Sequence, residues 1–148
     1  MTVNETKEFL RSIRREQIEI AHLKQMIREE EAELYPHGIR YDLDKVQVSP
    51  DEKFSKLCAR IAEYQMELGE SIAILTTKKL KAERLIRNLE NENEREVMRW
   101  YYLSTDNGDL LSWRGVAIRM NYNERHIKRL HGYALTHMSE HGTQCHSN

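Results

Sequence analysis

The chain has 148 residues, 32% of them charged and 7% aromatic, with six glycines and two prolines. That composition fits a mostly helical protein with long solvated faces, one domain or a small domain plus an extended arm. A net charge of -1 excludes a polycation along its whole length, a mean hydropathy of -0.77 argues against a single large core, and no run approaches the ~18 apolar residues of a membrane helix.

The first segment, residues 4–34, carries Ile13, Ile20, Ile27 and Leu34 at every seventh position, with Phe9, Leu10 and Leu23 beside them. This is a helix with a narrow apolar stripe. Its N-terminal stretch lacks the basic-then-apolar plan of a signal peptide. Pro36 and Gly38 end it, and residues 35–49 form a connection with no assigned structure. Ser49 is the expected N-cap of a second long helix over residues 50–89, with Pro50 in its first position and two acids complementing the dipole. Phe54, Ile61, Leu68, Leu75, Ala82 and Leu89 again recur by seven, and the companion row is Leu57, Tyr64, Ser71, Lys78 and Leu85. A sustained seven-residue repeat means packing against another long helix, with a seam weakened at Ser71 and Lys78.

The simplest arrangement is an antiparallel hairpin of the two helices, an arm spanning residues 1–90. Both stripes are narrow, so a second copy of the chain is expected to cover what remains, making a homodimer through the arm. The alternative is a monomeric hairpin whose loop folds back over it. Asn88, Asn91 and Asn93 mark a break, followed by a helix from Asn93 to Leu103 with Val97, Met98, Tyr101 and Tyr102 on its inner face. Ser104 to Asp109 is a turn, tightest at Asn107-Gly108.

Residues 91–139 read as a separate module. Ser112 caps a helix that starts at Trp113 and buries Val116, Ala117 and Met120. Asn121 stops it, because asparagine tolerates the left-handed conformation. Asn123 caps a last helix from Glu124 to Met138, with Ile127, Leu130, Ala134, Leu135 and Met138 as its buried stripe. A small residue at Ala117, a left-handed residue four positions later, and apolar residues including Tyr122 to fill the angle meet the demands of a helix-turn-helix.

At about 100° per residue, the face opposite that stripe carries Arg125, Arg129 and Gly132. Lys128 and His126 flank it, and Glu124 lies to the side. Arginine's planar fork bonds guanine O6 and N7 together, so Arg125 and Arg129 are the candidate base readers. Arg114, Arg119 and His131 are placed as backbone contacts. From Ser112 to Met138 there are five cations against Glu124 alone, a local +4 on a chain of net -1. The implied partner is double-stranded DNA.

The stretch LSWRGVAIRMNYNERHIKRLHGYAL resembles the region-4-like helix-turn-helix of sigma factors. It resembles more closely the short phage and prophage proteins related to the ArpU and RinA late-gene transcriptional regulators. The resemblance rests on Trp113, Val116-Ala117, Tyr122-Asn123, Arg125, Arg129-Leu130-His131 and Ala134-Leu135, with EREVMRWYYL upstream. It implies a phage-encoded DNA-binding regulator of transcription. Nothing here matches the other regions of a complete sigma factor, so a dimeric operator binder or a sigma-like adaptor fits better. An alternative function is a protein-interaction adaptor whose arm binds RNA polymerase or a host factor.

Cys58 and Cys145 are unmatched thiols, expected of a reducing cytoplasm. His137, His141, Cys145 and His146 have spacings that suit a metal, but they fall in or beside a tail, residues 140–148, expected to be disordered and to offer nothing that would orient them. No metal site, cofactor or catalytic constellation is expected, and the chain reads as a non-enzyme.

Overall fold

The computed structural model describes residues 1–34 and 50–144. The elements in order are α1 (Val3–Leu34), α2 (Pro50–Arg87), α3 (Glu92–Met98) continued by a π-helical turn (Arg99–Leu103), β1 (Thr105–Asp106), β2 (Asp109–Leu110), α4 (Trp113–Met120) and α5 (Glu124–Gln144). The expected all-α class holds: two long helices pack together, followed by shorter C-terminal ones. The expected connection over residues 35–49, the Ser49 cap and the four C-terminal residues lie outside the described residues.

The chain forms two compact units, one of residues 18–73 and one of residues 1–17 with 74 onward. In the first, the seven-residue rows do what the spacing predicts. Ile20 and Ile27 of α1, and Leu57 and Ile61 of α2, are buried, and Arg60 of α2 reaches Glu30 of α1 at 3.7 Å. Phe54, which belongs to the same row, is instead exposed.

In the second unit α1 and α2 run antiparallel. Phe9 of α1 lies 4.9 Å beneath the Lys81 ammonium of α2, while Ser12 and Glu16 meet Lys78. Lys78, which broke the apolar companion row, therefore donates to a carboxylate and a hydroxyl of the facing helix. Leu10 and Ile13 of α1, Ala82 and Ile86 of α2, Leu89, Met98 and Tyr102, and Ala134, Leu135 and Met138 of α5 form one core. A second cluster joins Val97, Leu111, Val116, Ala117, Ile127 and Leu130. Both long helices thus contribute residues to the core that seats α5, Leu10 and Ile13 from α1 and Ala82 and Ile86 from α2.

The break after α2 is closed by polar groups. Asn91 caps α3, its Oδ1 accepting from the Glu94 amide at 3.2 Å, so α3 begins one residue before the expected Asn93. Arg95 donates to the carbonyls of Leu89 and Glu90. The helix expected to run to Leu103 widens to π geometry at Arg99. Its terminal carbonyls have no partner within the helix. Arg14 of α1 donates to the Tyr101 carbonyl, and Gln17 donates to that of Tyr102 at 3.0 Å.

The expected turn at Asn107-Gly108 is a two-residue hairpin. Thr105 pairs with Leu110 and Asp106 with Asp109, and φ is 52° at Asn107 and 88° at Gly108. Positive φ at both central residues is the requirement of a type I′ turn, which is why an Asn-Gly pair stands there. α5 runs to Gln144, past the expected end at Met138 and into the tail expected to be disordered. Met138 and Ser139 are both buried, so packing does not stop where the apolar stripe becomes sparse.

Candidate nucleic-acid interface

The turn between α4 and α5 is built as its residues require. Ser112 Oγ accepts from the Gly115 amide at 3.1 Å and opens α4. Asn121 sits in the left-handed region with φ 60° and ψ 37°, and the Tyr122 amide donates to the Ala117 carbonyl at 3.1 Å. Asn123 Oδ1 then accepts from the His126 amide at 2.8 Å and opens α5. Ala117 is buried beneath Ile127 and Leu130 in the second core cluster. A larger side chain at Ala117 would push the two helices apart.

Tyr122 departs from its expected place. It does not fill the angle between the helices: it is 39% exposed, with its ring edge-on to His126 at 4.7 Å. The left-handed step at Asn121 turns the chain so that Tyr122 leaves the core, and Leu111, Val116, Ile127 and Leu130 fill the angle, with Trp113 and Met120 at its margin.

On α5, Arg125 and Arg129 are exposed one turn apart on the face opposite the buried stripe. Gly132 lies one turn further, and a Cβ there would meet open space. His126 is half-buried at the edge of this face. Lys128 pairs with Glu124 at 3.4 Å. On α4, Arg114 is exposed, while Arg119 pairs with Asp106 of the hairpin at 3.0 Å and lies 5.5 Å above the Trp100 ring. The eight candidates thus separate by commitment. Among the described residues of this module, Arg114, Arg125 and Arg129 enter no ion pair. Arg119, Lys128 and Glu124 are neutralised within the chain.

His131 does not belong to the surface at all. It is 8% exposed, and its Nε2 is 2.7 Å from the Tyr102 hydroxyl. Burial, with the charges of Lys7 and Arg11 added, pushes the imidazole down to about 4. Burial likewise holds the Tyr102 phenol well above its ordinary value. The ring is therefore neutral, and its Nε2 shares a hydrogen bond with the Tyr102 hydroxyl. Around this pair Trp113 stacks on Tyr101 at 3.7 Å, Trp113 meets the His131 ring edge-on at 4.7 Å, and the Arg14 guanidinium lies 3.8 Å over Tyr101. His131 thus fixes α5 to α4 and to the π-helical turn. Its assignment as a phosphate contact fails because a neutral buried imidazole offers a phosphate neither charge nor access.

The sequence reading also missed Arg14. It donates to the Leu111 carbonyl at 3.1 Å as well as to that of Tyr101, joining α1 to the segment that opens α4. Its spacing in α1, next to the buried stripe, is the only local sign of this. His137, considered above with the tail, instead bonds the buried Glu94 carboxylate at 2.9 Å. That bond raises the imidazole above its ordinary value.

Among the described residues, no helix is long and apolar enough to cross a membrane. No family model, no curated protein and no solved structure matches the chain.

Proposed function

We propose that the protein is a sequence-specific DNA-binding regulator of transcription of the phage late-gene type, acting in the cytoplasm of a bacterial host. α5 is its reading helix. The observation that carries this is the pair Arg125 and Arg129, exposed, one turn apart and free of ion pairs among the described residues, on a helix fixed by the Ala117–Asn121 turn. Two guanidinium forks on one helical face suit major-groove edges, and each good bidentate contact is worth about 1–3 kcal/mol of base discrimination. Arg114 contacts the backbone at the start of α4, and the open surface at Gly132 lets a groove wall approach.

The protein binds DNA as a homodimer through its long helices. Met66, 70% exposed, and Ile18 and Phe54 leave apolar surface on the unit of residues 18–73 for a second copy to cover. RNA polymerase or a host factor is the other occupant of that surface, and it is the partner of the adaptor reading.

Binding to double-stranded DNA, followed by fluorescence anisotropy against salt, tests the reading. The logarithm of affinity falls linearly with the logarithm of salt concentration for wild type. Arg125→Ala and Arg129→Ala each cost about 1–3 kcal/mol on a selected site and relax base preference. Retained affinity and preference in the double variant would remove α5 as the reading helix. Absence of DNA binding at low salt, together with capture of purified RNA polymerase, would support the adaptor reading.

A further inference from the structure

We infer that Lys7 and Arg11 of α1 form a second part of the interface, binding DNA backbone phosphates beside the groove that α5 reads; this rests on the DNA-binding reading of α5. α1 lies along α5 in the opposite direction. Met1, Thr2 and Glu5 face Ser139 and Glu140 across a shallow cleft. Leu10 and Ile13 share a core with Ala134 and Leu135. Further along α1, Arg14 is bonded to the Leu111 carbonyl just ahead of α4. Lys7 and Arg11 fall between these points, near enough to the buried His131 ring to disfavour its protonation. One turn from His131 toward the start of α5 stands Lys128.

The neighbouring charges leave these two cations available. Glu5 bonds the Thr2 amide, Glu8 pairs with Arg15 and Glu16 with Lys78. Arg14 is committed to carbonyls and to the Tyr101 ring. Among the described residues Lys7 and Arg11 enter no ion pair, and Arg11 is exposed, with Lys7 half-buried. They share one edge of α1, at positions one turn apart. Lys7 and Arg11 thus bring positive charge to the neighbourhood of His131 from the other end of the chain. Lysine and arginine so placed neutralise phosphates without reading sequence.

The test is a salt titration of binding to a duplex of about three helical turns, roughly 30 base pairs, for wild type and for the Lys7→Gln/Arg11→Gln variant. The two contacts account for roughly 1.8 of the slope of log affinity against log salt. The variant therefore shows a shallower slope, an unchanged ratio of selected-site to scrambled-site affinity, and an unchanged thermal melt. A slope equal to that of wild type overturns the inference while leaving the reading of α5 in place. An altered base preference also overturns it, since a backbone contact reads no base. A wild-type protein that does not bind the duplex overturns both. Should the double variant melt early, each single variant lowers the slope by about 0.9 if the inference holds, and by nothing if it does not.

Discussion

Acidification should weaken this fold through one buried ring. In the unfolded chain His131 takes a proton near pH 6.5, and in the folded chain only near pH 4. Between those values the unfolded form binds the proton first, so stability present above pH 6.5 is lost as pH falls toward 4. At about 1.4 kcal/mol per tenfold, that interval is worth roughly 3 kcal/mol. For a chain of this size the loss lowers the melting midpoint by roughly 10 °C. The assay is urea unfolding followed by circular dichroism, from about pH 7 down to about pH 4, on wild type and on His131→Gln. The glutamine amide oxygen can still accept from the Tyr102 hydroxyl, but it does not titrate.

His137 works in the opposite direction. Its folded value is raised by Glu94, so its contribution is complete below pH 6.5 and is lost as pH rises through that folded value. It is common to both proteins, and the difference between the two curves isolates His131. That difference should narrow by most of the roughly 3 kcal/mol as pH falls. Parallel loss of stability in wild type and His131→Gln would refute the buried, neutral assignment.

Other perturbations follow from single contacts. Asn121→Gly should leave stability nearly unchanged, while Asn121→Ala, forced to φ 60°, should cost about 1–2 kcal/mol in chemical denaturation; equal effects would mean that the turn relaxes. Asp106→Asn frees Arg119 from its 3.0 Å pair. It should change stability by less than about 1 kcal/mol yet tighten binding to scrambled DNA at low salt, and weaker binding would show that the pair positions Arg119 for the phosphate. Lys78→Ala strands the half-buried Glu16 carboxylate and should cost about 1–3 kcal/mol. Replacing both partners by leucine should recover most of that, and a double variant as unstable as the single one would count against the pair.

What could be read from the sequence was local. Ser112, Asn121 and Asn123 act through backbone groups within four residues, so their residue types and spacing were enough to place the α4–α5 turn. Asn107-Gly108 specified its hairpin in the same way. Beyond that local range, the seven-residue rows pointed to two long helices packing together. His131 was misplaced because its position, at the margin of the apolar stripe of α5, is interior only when Tyr102, Trp113 and α1 close over it. Those neighbours come from distant parts of the chain. The same is true of Arg14, Gln17 and Lys78, whose partners lie more than sixty residues away. Tyr122 was misjudged for another reason: the direction of the chain after a left-handed residue decides whether the next side chain enters the core, and hydrophobicity alone does not encode that direction.

On the proposed function, α5 reads DNA sequence through Arg125 and Arg129. Selection of bound duplexes from a random pool by wild type and by Arg125→Ala/Arg129→Ala tests it most directly. Wild type should enrich a motif containing guanines, two-fold symmetric if the protein binds as a dimer, and the variant should lose those positions. A pool that stays random with wild type, or the same motif recovered by the variant, would contradict the account.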